Sequence, residues 1–279
     1  MILEAPRSIV FFSGKGGTGK TTTVVNLGAA IALLGKRVIL LDGDLLCPSL
    51  DIMLKLKPQA GRDFKSVLMG RAEMSDVIVD VNVEGAKKPL GVVPAGHALK
   101  EFFGSKPVYS EEGGKRAVEA FQDLFKISDL VLIDAPAGLE SAAQKSLSFA
   151  NEAIIVCHPT KTAIVDALKG YKVAEFYKTP VRGAILNNVT EAAAISAEAA
   201  SVILRTPVLA SIPYDETIMR AEKEHKLVVV DYPKSPSARL IKMVAETIEK
   251  GKIPGELKPF QRPKLDSYLE KIRRTVEGS

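Results

Sequence analysis

The sequence contains no tryptophan, two cysteines and three histidines, and aromatic residues make up 6% of its 279 residues. Two cysteines cannot form a disulfide framework, and without a CxxC motif a zinc ribbon and a thioredoxin-like site are excluded. So few aromatic residues leave little provision for stacking on nucleic-acid bases. The apolar runs are too short to cross a bilayer, and residues 1–7 lack the charged-then-apolar order of a signal peptide. We therefore expect a cytoplasmic protein.

The charge balance is also mild. Lys and Arg number 38 and Asp and Glu number 33, so the net charge is +5. Such a charge permits an acidic partner or an anionic membrane but does not demand nucleic acid, and we do not expect specific nucleic-acid binding. Hydrophobic residues make up 46% of the chain, which is ordinary for a globular protein.

Short apolar runs alternate with longer amphipathic stretches along most of the chain. The runs predict buried strands at residues 9–12, 38–41, 90–93, 130–133, 153–156, 184–186 and 208–212. The stretches predict helices at 21–34, 112–125, 141–149, 163–176, 193–204 and 237–250. This alternation predicts an α/β fold with a doubly wound, mostly parallel sheet. Residues 61–88 are the least regular and predict short helices with loops. A ligand site is expected at the carboxyl ends of the strands.

The composition changes near the C-terminus, which divides the chain into three parts. We expect one globular domain over residues 1–250 and a linker over residues 251–263, which contain three prolines. Residues 264–279 return to helical spacing, with an apolar stripe formed by Leu265, Tyr268, Leu269, Ile272 and Val276.

A phosphate-binding motif follows the first predicted strand. Residues 13–22 read S-G-K-G-G-T-G-K-T-T and match G-x-x-x-x-G-K-[ST] at Gly14, Gly19, Lys20 and Thr21. Glycines let backbone N–H groups turn inward around an anion, and the following helix adds its positive end. Lys20 can reach the β- and γ-phosphates, and the Thr21 hydroxyl can bind Mg²⁺. The expected nucleotide-binding residues here are Gly14, Lys15, Gly16, Gly17, Thr18, Gly19, Lys20, Thr21 and Thr22.

The second lysine of this loop, Lys15, carries a family resemblance. The string K-G-G-T-G-K-T-T resembles the deviant Walker A signature of the MinD/ParA/Mrp/nitrogenase-iron-protein class of P-loop ATPases. The resemblance implies that Lys15 crosses a nucleotide-sandwich homodimer and contacts the partner's phosphates, as an arginine finger does in other phosphoryl-transfer proteins. It also implies a catalytic role for Lys15 beside Lys20.

Acidic residues follow two further predicted strands. Asp42 and Asp44 follow residues 38–41, and Asp134 follows residues 130–133. A carboxylate at a strand end beside the phosphate loop can accept from a magnesium-bound water, and Asp44 could orient the attacking water. The stretch from Asp42 resembles switch I of MinD and Mrp proteins, and D-A-P-A-G from Asp134 resembles the Walker B and switch II segment of MinD. The resemblance implies Mg²⁺ support by Asp42 and Asp134, water activation by Asp44, and γ-phosphate sensing by Gly138.

The base is expected to be adenine. No [NT]-K-x-D motif for guanine occurs near residue 160, whereas Asn187 resembles the adenine-contacting Asn of MinD, and Pro213 and Asp215 resemble the segment that wraps the base. An asparagine at a strand-ending turn is the alternative for Asn187. Asp166 falls where MinD proteins carry an acidic residue on the dimer-facing helix, although a solvated surface role is equally open. The expected ligands are ATP and Mg²⁺.

The resemblance is closest to MinD and implies an ATP-dependent homodimer that hydrolyses ATP slowly and positions other proteins through a regulatory partner. A ParA-type DNA-partitioning ATPase and an Mrp-type iron–sulfur carrier remain alternatives. The carrier is disfavoured because Cys47 is a single candidate ligand in its segment. The C-terminal helix could contact a membrane surface, its own domain or a partner. MinD ends in a membrane-binding helix, but this one lacks Phe and Trp and mixes its charges.

Overall fold

The computed structural model describes residues 7–57, 59–96, 111–138 and 141–251, together with residues 264, 266, 267, 270, 271 and 274. Within these residues the strands are β1 (Arg7–Phe12), β2 (Val38–Asp42), β3 (Val79–Val81), β4 (Leu90–Val93), β5 (Leu130–Asp134), β6 (Glu152–Cys157), β7 (Val181–Val189) and β8 (Val208–Pro213). The helices are α1 (Lys20–Leu33), α2 (Leu50–Met53), α3 (Phe64–Leu68), α4 (Met74–Val77), α5 (Glu111–Ile127), α6 (Ser141–Ser148), α7 (Lys161–Phe176), α8 (Ala197–Leu204), α9 (Glu216–Lys223), α10 (Val228–Asp231) and α11 (Pro236–Lys250).

The eight strands form one sheet in the order β3-β4-β2-β5-β1-β6-β7-β8. Every neighbouring pair is parallel except β3 with β4, which is antiparallel. The chain therefore winds outward from the central β1 in both directions, and the predicted doubly wound, mostly parallel sheet is confirmed. The strand order reverses at β1, which is where such sheets bind ligands.

Both faces of the sheet are buried. In β1, Ile9 and Phe11 pack into one hydrophobic cluster, and Val10 and Phe12 pack into the other. Helices α1, α10 and α11 contribute to the first cluster, and α3, α4, α5, α7 and α8 contribute to the second. A strand that is buried on both faces has a continuous run of apolar residues. The apolar runs in the sequence therefore predicted the positions of the core strands.

The differences from the sequence prediction lie at the edges. Residues 193–196 were predicted to be helical, but α8 begins only at Ala197, because the Ser196 side chain accepts a hydrogen bond from the N–H of Ala199 and caps the helix there. Strand β7 is longer than predicted, so Asn187 lies within it. The short antiparallel edge strand β3 was not predicted.

Several sequence predictions concern residues outside the described ones. They include the linker from residue 252 onward and the five apolar stripe residues of the C-terminal segment. Among the described residues, no helix has both the length and the apolar character that crossing a bilayer requires.

Candidate functional site

A pocket of about 320 Å³ opens at the carboxyl edge of the sheet, where β1 leads into the glycine-rich loop. The pocket is lined by Ser13, Lys15, Gly16, Gly17, Thr18, Gly19, Lys20, Thr21, Thr22, Asp44, Ser49, Met53 and Ala137. Eight of the nine loop residues expected to bind nucleotide thus line one cavity, together with Asp44 from the loop after β2. The ninth, Gly14, lies beneath the loop against α7.

The glycines of this loop meet specific backbone and steric demands. Gly17 and Gly19 have positive φ angles of 74° and 79°, a region that side-chain-bearing residues rarely adopt. A Cβ atom on Gly19 would lie 2.1 Å from Asn187 Nδ2, and one on Gly14 would lie 2.5 Å from Asp166 Cβ. The loop is therefore packed directly on β7 and α7, and its shape depends on glycine at these two positions.

Lys20 and Thr21 begin α1 and both contact Asp134 at the end of β5. The Lys20 ammonium pairs with Asp134 Oδ1 in a buried contact, and the Thr21 hydroxyl donates to Asp134 Oδ2 over 2.7 Å. The same hydroxyl lies 3.2 Å from Ser49 Oγ. The phosphate loop and the Walker B-like carboxylate thus form one polar cluster beneath the pocket.

Asp42 is fully buried beside this cluster. It is in register with Asp134 on the neighbouring strand. Its Oδ2 accepts from the backbone N–H groups of Ser49 (3.0 Å) and Leu50 (3.1 Å), and its Oδ1 from that of Asp44 (3.0 Å). Burial, followed by the negative charge of Asp134, raises the pKa of Asp42 to about 7, although the three N–H donors oppose this rise. A buried carboxylate pair of this kind attracts a cation.

Asp44 lies at the edge of the pocket, in the loop that leaves β2. Its Oδ1 accepts from the N–H groups of Cys47 (2.8 Å) and Leu46 (3.2 Å), which folds the loop back on itself.

Cys47 is exposed, whereas Cys157 is buried at the end of β6, where burial raises the pKa of its thiol to about 12. In the part of the chain that the structure describes, no cluster of three or more His, Cys, Asp or Glu side chains could hold a metal ion.

Lys15 extends from the rim of the pocket, and its side chain is 54% exposed. Its ammonium lies 3.1 Å from Asp166 Oδ2 on α7, and Lys169 lies 3.0 Å from the other oxygen of the same carboxylate. Hydrogen bonds from Lys169 and Lys15 lower the pKa of Asp166. The structure therefore brings together Asp166 and the signature lysine, two residues far apart in sequence.

Gly138 is the fourth residue after β5. Its φ angle is 91°, and its N–H donates to the carbonyl oxygen of Ser13 over 3.0 Å. This bond joins the switch II-like segment to Ser13, the first residue of the phosphate loop.

The residues predicted to contact adenine have structural partners in the described chain. The buried Asn187 donates from Nδ2 to the carbonyl oxygen of Thr18 over 2.8 Å. Asp215, which follows β8, caps α9 by accepting from Thr217 N–H and also accepts from Ser237 N–H. Burial raises the pKa of Asp215, but these hydrogen bonds outweigh it and lower the pKa overall. Pro213 is the last residue of β8.

Sequence reasoning assigned no role to Ser49, Met53 or Glu222 at this site. Ser49 and Met53 line the pocket, and Glu222 of α9 accepts a hydrogen bond from the Thr22 hydroxyl. Ser49 lies in the stretch that resembles switch I but was given no role there, and Glu222 lies 200 residues from Thr22 in sequence. A helix as polar as α9 carries no local signal that one of its carboxylates turns toward the phosphate loop.

The residues present fit a magnesium–nucleotide complex. Thr21, Asp42 and Asp134 supply hard oxygen atoms in one small region, which suits Mg²⁺ because this ion takes few protein ligands and keeps several waters. The glycine loop, the amino end of α1 and two lysines provide the positive field that a triphosphate needs.

Comparison with known proteins agrees with this geometry. Residues 9–228 match the model of the CobQ/CobB/MinD/ParA nucleotide binding domain. An uncharacterized ATP-binding protein from Methanocaldococcus jannaschii is 34% identical over 274 residues, which are 97% of each chain. The septum site-determining protein MinD of a Synechocystis species is 31% identical over 278 residues, covering 98% of this chain and 99% of that one.

Among solved structures, the septum site-determining protein MinD from Pyrococcus horikoshii, complexed with Mg-ADP, superposes with a TM-score of 0.76 at 31% identity. That alignment covers 88% of this chain and 96% of the other. The family model spans most of the chain and includes the glycine loop, both strand-end carboxylates and Asn187. The chain belongs to the CobQ/CobB/MinD/ParA family of nucleotide-binding proteins.

Proposed function

We propose that the chain is a MinD-like ATPase switch. Two copies bind ATP and Mg²⁺ face to face, hydrolyse ATP slowly to ADP and phosphate, and separate afterwards. The observation that carries this proposal is the position of Lys15: it lies at the open rim of the phosphate pocket with its side chain half-exposed, while Lys20 lies buried below. A lysine at the rim can reach the nucleotide of a second copy.

In this proposal each residue of the pocket has a defined role. Residues 14–22 bind the phosphates, with backbone N–H groups and Lys20 facing them. Thr21, Asp42 and Asp134 hold Mg²⁺, which on binding neutralises phosphate charge and polarises the phosphate oxygens. Asp44 accepts a hydrogen bond from the attacking water and orients it. Asn187, Pro213 and Asp215 form the adenine end.

Two contacts of the described structure must exchange when ATP binds. Lys15 leaves Asp166 in order to reach the partner's phosphates, and the Gly138 N–H leaves Ser13 in order to contact the γ-phosphate. The ion pair of Lys15 with Asp166 has a half-exposed lysine, so triphosphate binding can replace it at small cost. The hydrogen bond from Gly138 ends on the buried Ser13, and a bond from the same N–H to the γ-phosphate would take its place. Hydrolysis removes the γ-phosphate and lets both contacts form again, which separates the two copies.

The switch acts on other proteins, so its product is a change of assembly state. We propose that residues 1–250 form the ATPase domain, that 251–263 connect it to the C-terminal segment, and that a regulatory protein partner recognises the dimer. Slow turnover follows from this role because the lifetime of the dimer sets the duration of the signal. The protein would act in the cytoplasm or at a membrane surface.

The test measures mass by light scattering with and without Mg-ATP. The wild-type chain should double in mass with ATP, Lys15→Ala should stay monomeric, and Asp44→Ala should remain dimeric for longer because hydrolysis is blocked. Lys172→Ala is the matched control: Lys172 is similarly exposed, on the far end of α7, where it pairs with Glu175. The proposal fails if Lys15→Ala and Asp44→Ala both behave as the wild type and the control do.

A further inference from the structure

Helices α7 and α8 end beside each other at the amino edge of the sheet, where the strands begin. They follow the parallel strands β6 and β7, pack against each other, and contribute to the same hydrophobic cluster. The turns after them have one sequence pattern, a basic residue followed by T-P-V, which begins at Lys178 and at Arg205. The Thr206 hydroxyl donates to the carbonyl oxygen of Val181 over 3.2 Å and joins the two turns. The two helix ends therefore form one continuous surface, on the edge opposite the nucleotide pocket.

Large apolar side chains protrude from this surface. Phe176 is the last residue of α7 and is 80% exposed, and its ring meets that of the adjacent Tyr177 edge-to-face. Val202 and Ile203 lie in the last turn of α8 and are 79% and 38% exposed. Single apolar side chains on a surface are ordinary, but three of them at two adjoining helix ends are typical of a binding surface.

Positive charge flanks these apolar side chains. Lys178 and Arg205 are exposed, and neither side chain has an ion pair or a hydrogen bond in the described part of the chain. Lys172, one turn before Phe176, is compensated by its ion pair with Glu175 over 2.6 Å. The surface thus presents two uncompensated cations beside its apolar side chains, and it is complementary to a partner that is both anionic and apolar.

Charge and shape decide between the occupants of this surface. A second copy placed symmetrically on it would bring like charges together, and a protein partner would need a cavity fitted around the protruding ring. The interfacial region of a bilayer accepts protruding apolar side chains without a preformed shape, and anionic headgroups attract the neighbouring cations. We propose that Phe176, Lys178, Val202, Ile203 and Arg205, here called the basic–apolar patch, dock the domain on an anionic lipid surface.

Co-sedimentation of the full nucleotide-free chain with lipid vesicles tests this docking. The chain should bind phosphatidylglycerol vesicles at low ionic strength more tightly than phosphatidylcholine vesicles, and added salt should weaken the binding. Phe176→Ser should weaken binding to the anionic vesicles about tenfold, because its apolar area no longer leaves water. Lys178→Gln and Arg205→Gln should each weaken it about fivefold. Glutamine keeps the β-carbon, so the positive φ angles of 54° and 53° at these positions bring no new strain.

Two exposed residues outside the patch supply matched controls. Val165→Ser removes a 52% exposed apolar side chain from the first turns of α7, and Lys226→Ala removes a 47% exposed cation after α9. Both should bind vesicles as the wild type does. Urea unfolding of every variant checks that the fold is intact.

Three results would overturn the docking. The wild type does not bind anionic vesicles, or it binds both kinds of vesicle equally, or Phe176→Ser and the double variant Lys178→Gln/Arg205→Gln bind as tightly as the controls. In the last case another part of the chain, such as the C-terminal segment, holds the protein on the vesicle. Since no nucleotide is added, failure of the docking leaves the proposed ATP-dependent dimer untouched, and failure of the dimer leaves the docking untouched.

Discussion

The buried carboxylate of Asp42 should make the nucleotide-free protein less stable as the pH rises. Acidic residues in folded proteins usually have the opposite effect. The folded-state pKa of Asp42 is raised from 3.8 to about 7 by burial and by Asp134. The folded state therefore holds this proton more tightly than the unfolded state does. The resulting stability is fully present below pH 4 and is lost as the pH rises through 7.

The magnitude follows from the two pKa values. Between pH 5 and pH 8 the loss at this one site is roughly 2–3 kcal/mol of unfolding free energy. Asp42→Asn cannot titrate, so its unfolding free energy should fall less over this range than that of the wild type. The absolute stability of Asp42→Asn does not isolate the effect of titration. The new amide would also face the backbone N–H groups from which the carboxylate accepts hydrogen bonds. The pH slope is the diagnostic quantity.

Urea unfolding in the presence of a chelator, at pH 5 and pH 8, measures this slope. Asp129→Asn is the matched control: the backbone N–H of Arg37, then Lys88, lower the pKa of Asp129 from its ordinary 3.8, so this carboxyl is charged in both the folded and the unfolded state from pH 5 to pH 8 and its removal should leave the slope unchanged. Parallel slopes for the wild type and Asp42→Asn would show that Asp42 does not lose a proton between pH 5 and pH 8. Mg²⁺ with nucleotide should flatten the wild-type slope, because the cation stabilises the charged form.

Three further predictions concern the glycine loop and its neighbours. Gly14→Ala should destabilise the fold by about 1–3 kcal/mol in urea unfolding and weaken nucleotide binding, because its Cβ would lie 2.8 Å from the Asp166 carbonyl carbon. Gly16→Ala, whose Cβ meets its nearest neighbour at 3.9 Å, should be tolerated. Thr18→Val should raise the unfolding free energy by about 1 kcal/mol, because the buried Thr18 hydroxyl has no hydrogen-bond partner, and a loss of stability would contradict this. Asp166→Asn should lower the ATP concentration for half-maximal dimerisation roughly two- to fivefold by freeing Lys15, and an unchanged light-scattering titration would show that the ion pair does not restrain it.

The strands and the phosphate loop could be predicted because their signals are local. Continuous apolar runs mark strands with two buried faces, and the spacing of Gly14, Gly19 and Lys20 fixes a loop conformation. The closeness of Asp42 and Asp134 followed from the sheet, since adjacent parallel strands end at the same edge.

The remainder depends on tertiary contacts that leave no local signal. Strand β3 is three residues long and pairs antiparallel at the sheet edge, so it lacks the apolar run of the core strands. The contacts of Asp166 with Lys15 and of Glu222 with Thr22 join surface helices to the loop across long separations in sequence. In the sequence, Lys271 is one more charge on an amphipathic stretch, and its hydrogen bonds with Ala150 and Thr179 become visible only in the folded chain.

The most direct test of the proposed switch is a mixing experiment between two inactive variants. Lys15→Ala keeps its own Asp44, and Asp44→Ala can lend its Lys15, so a mixed dimer contains one complete site if the lysine acts on the partner's nucleotide. Equal amounts mixed before ATP is added should recover roughly a quarter of the wild-type hydrolysis rate. If the mixture is as inactive as either variant alone, Lys15 does not act across a dimer.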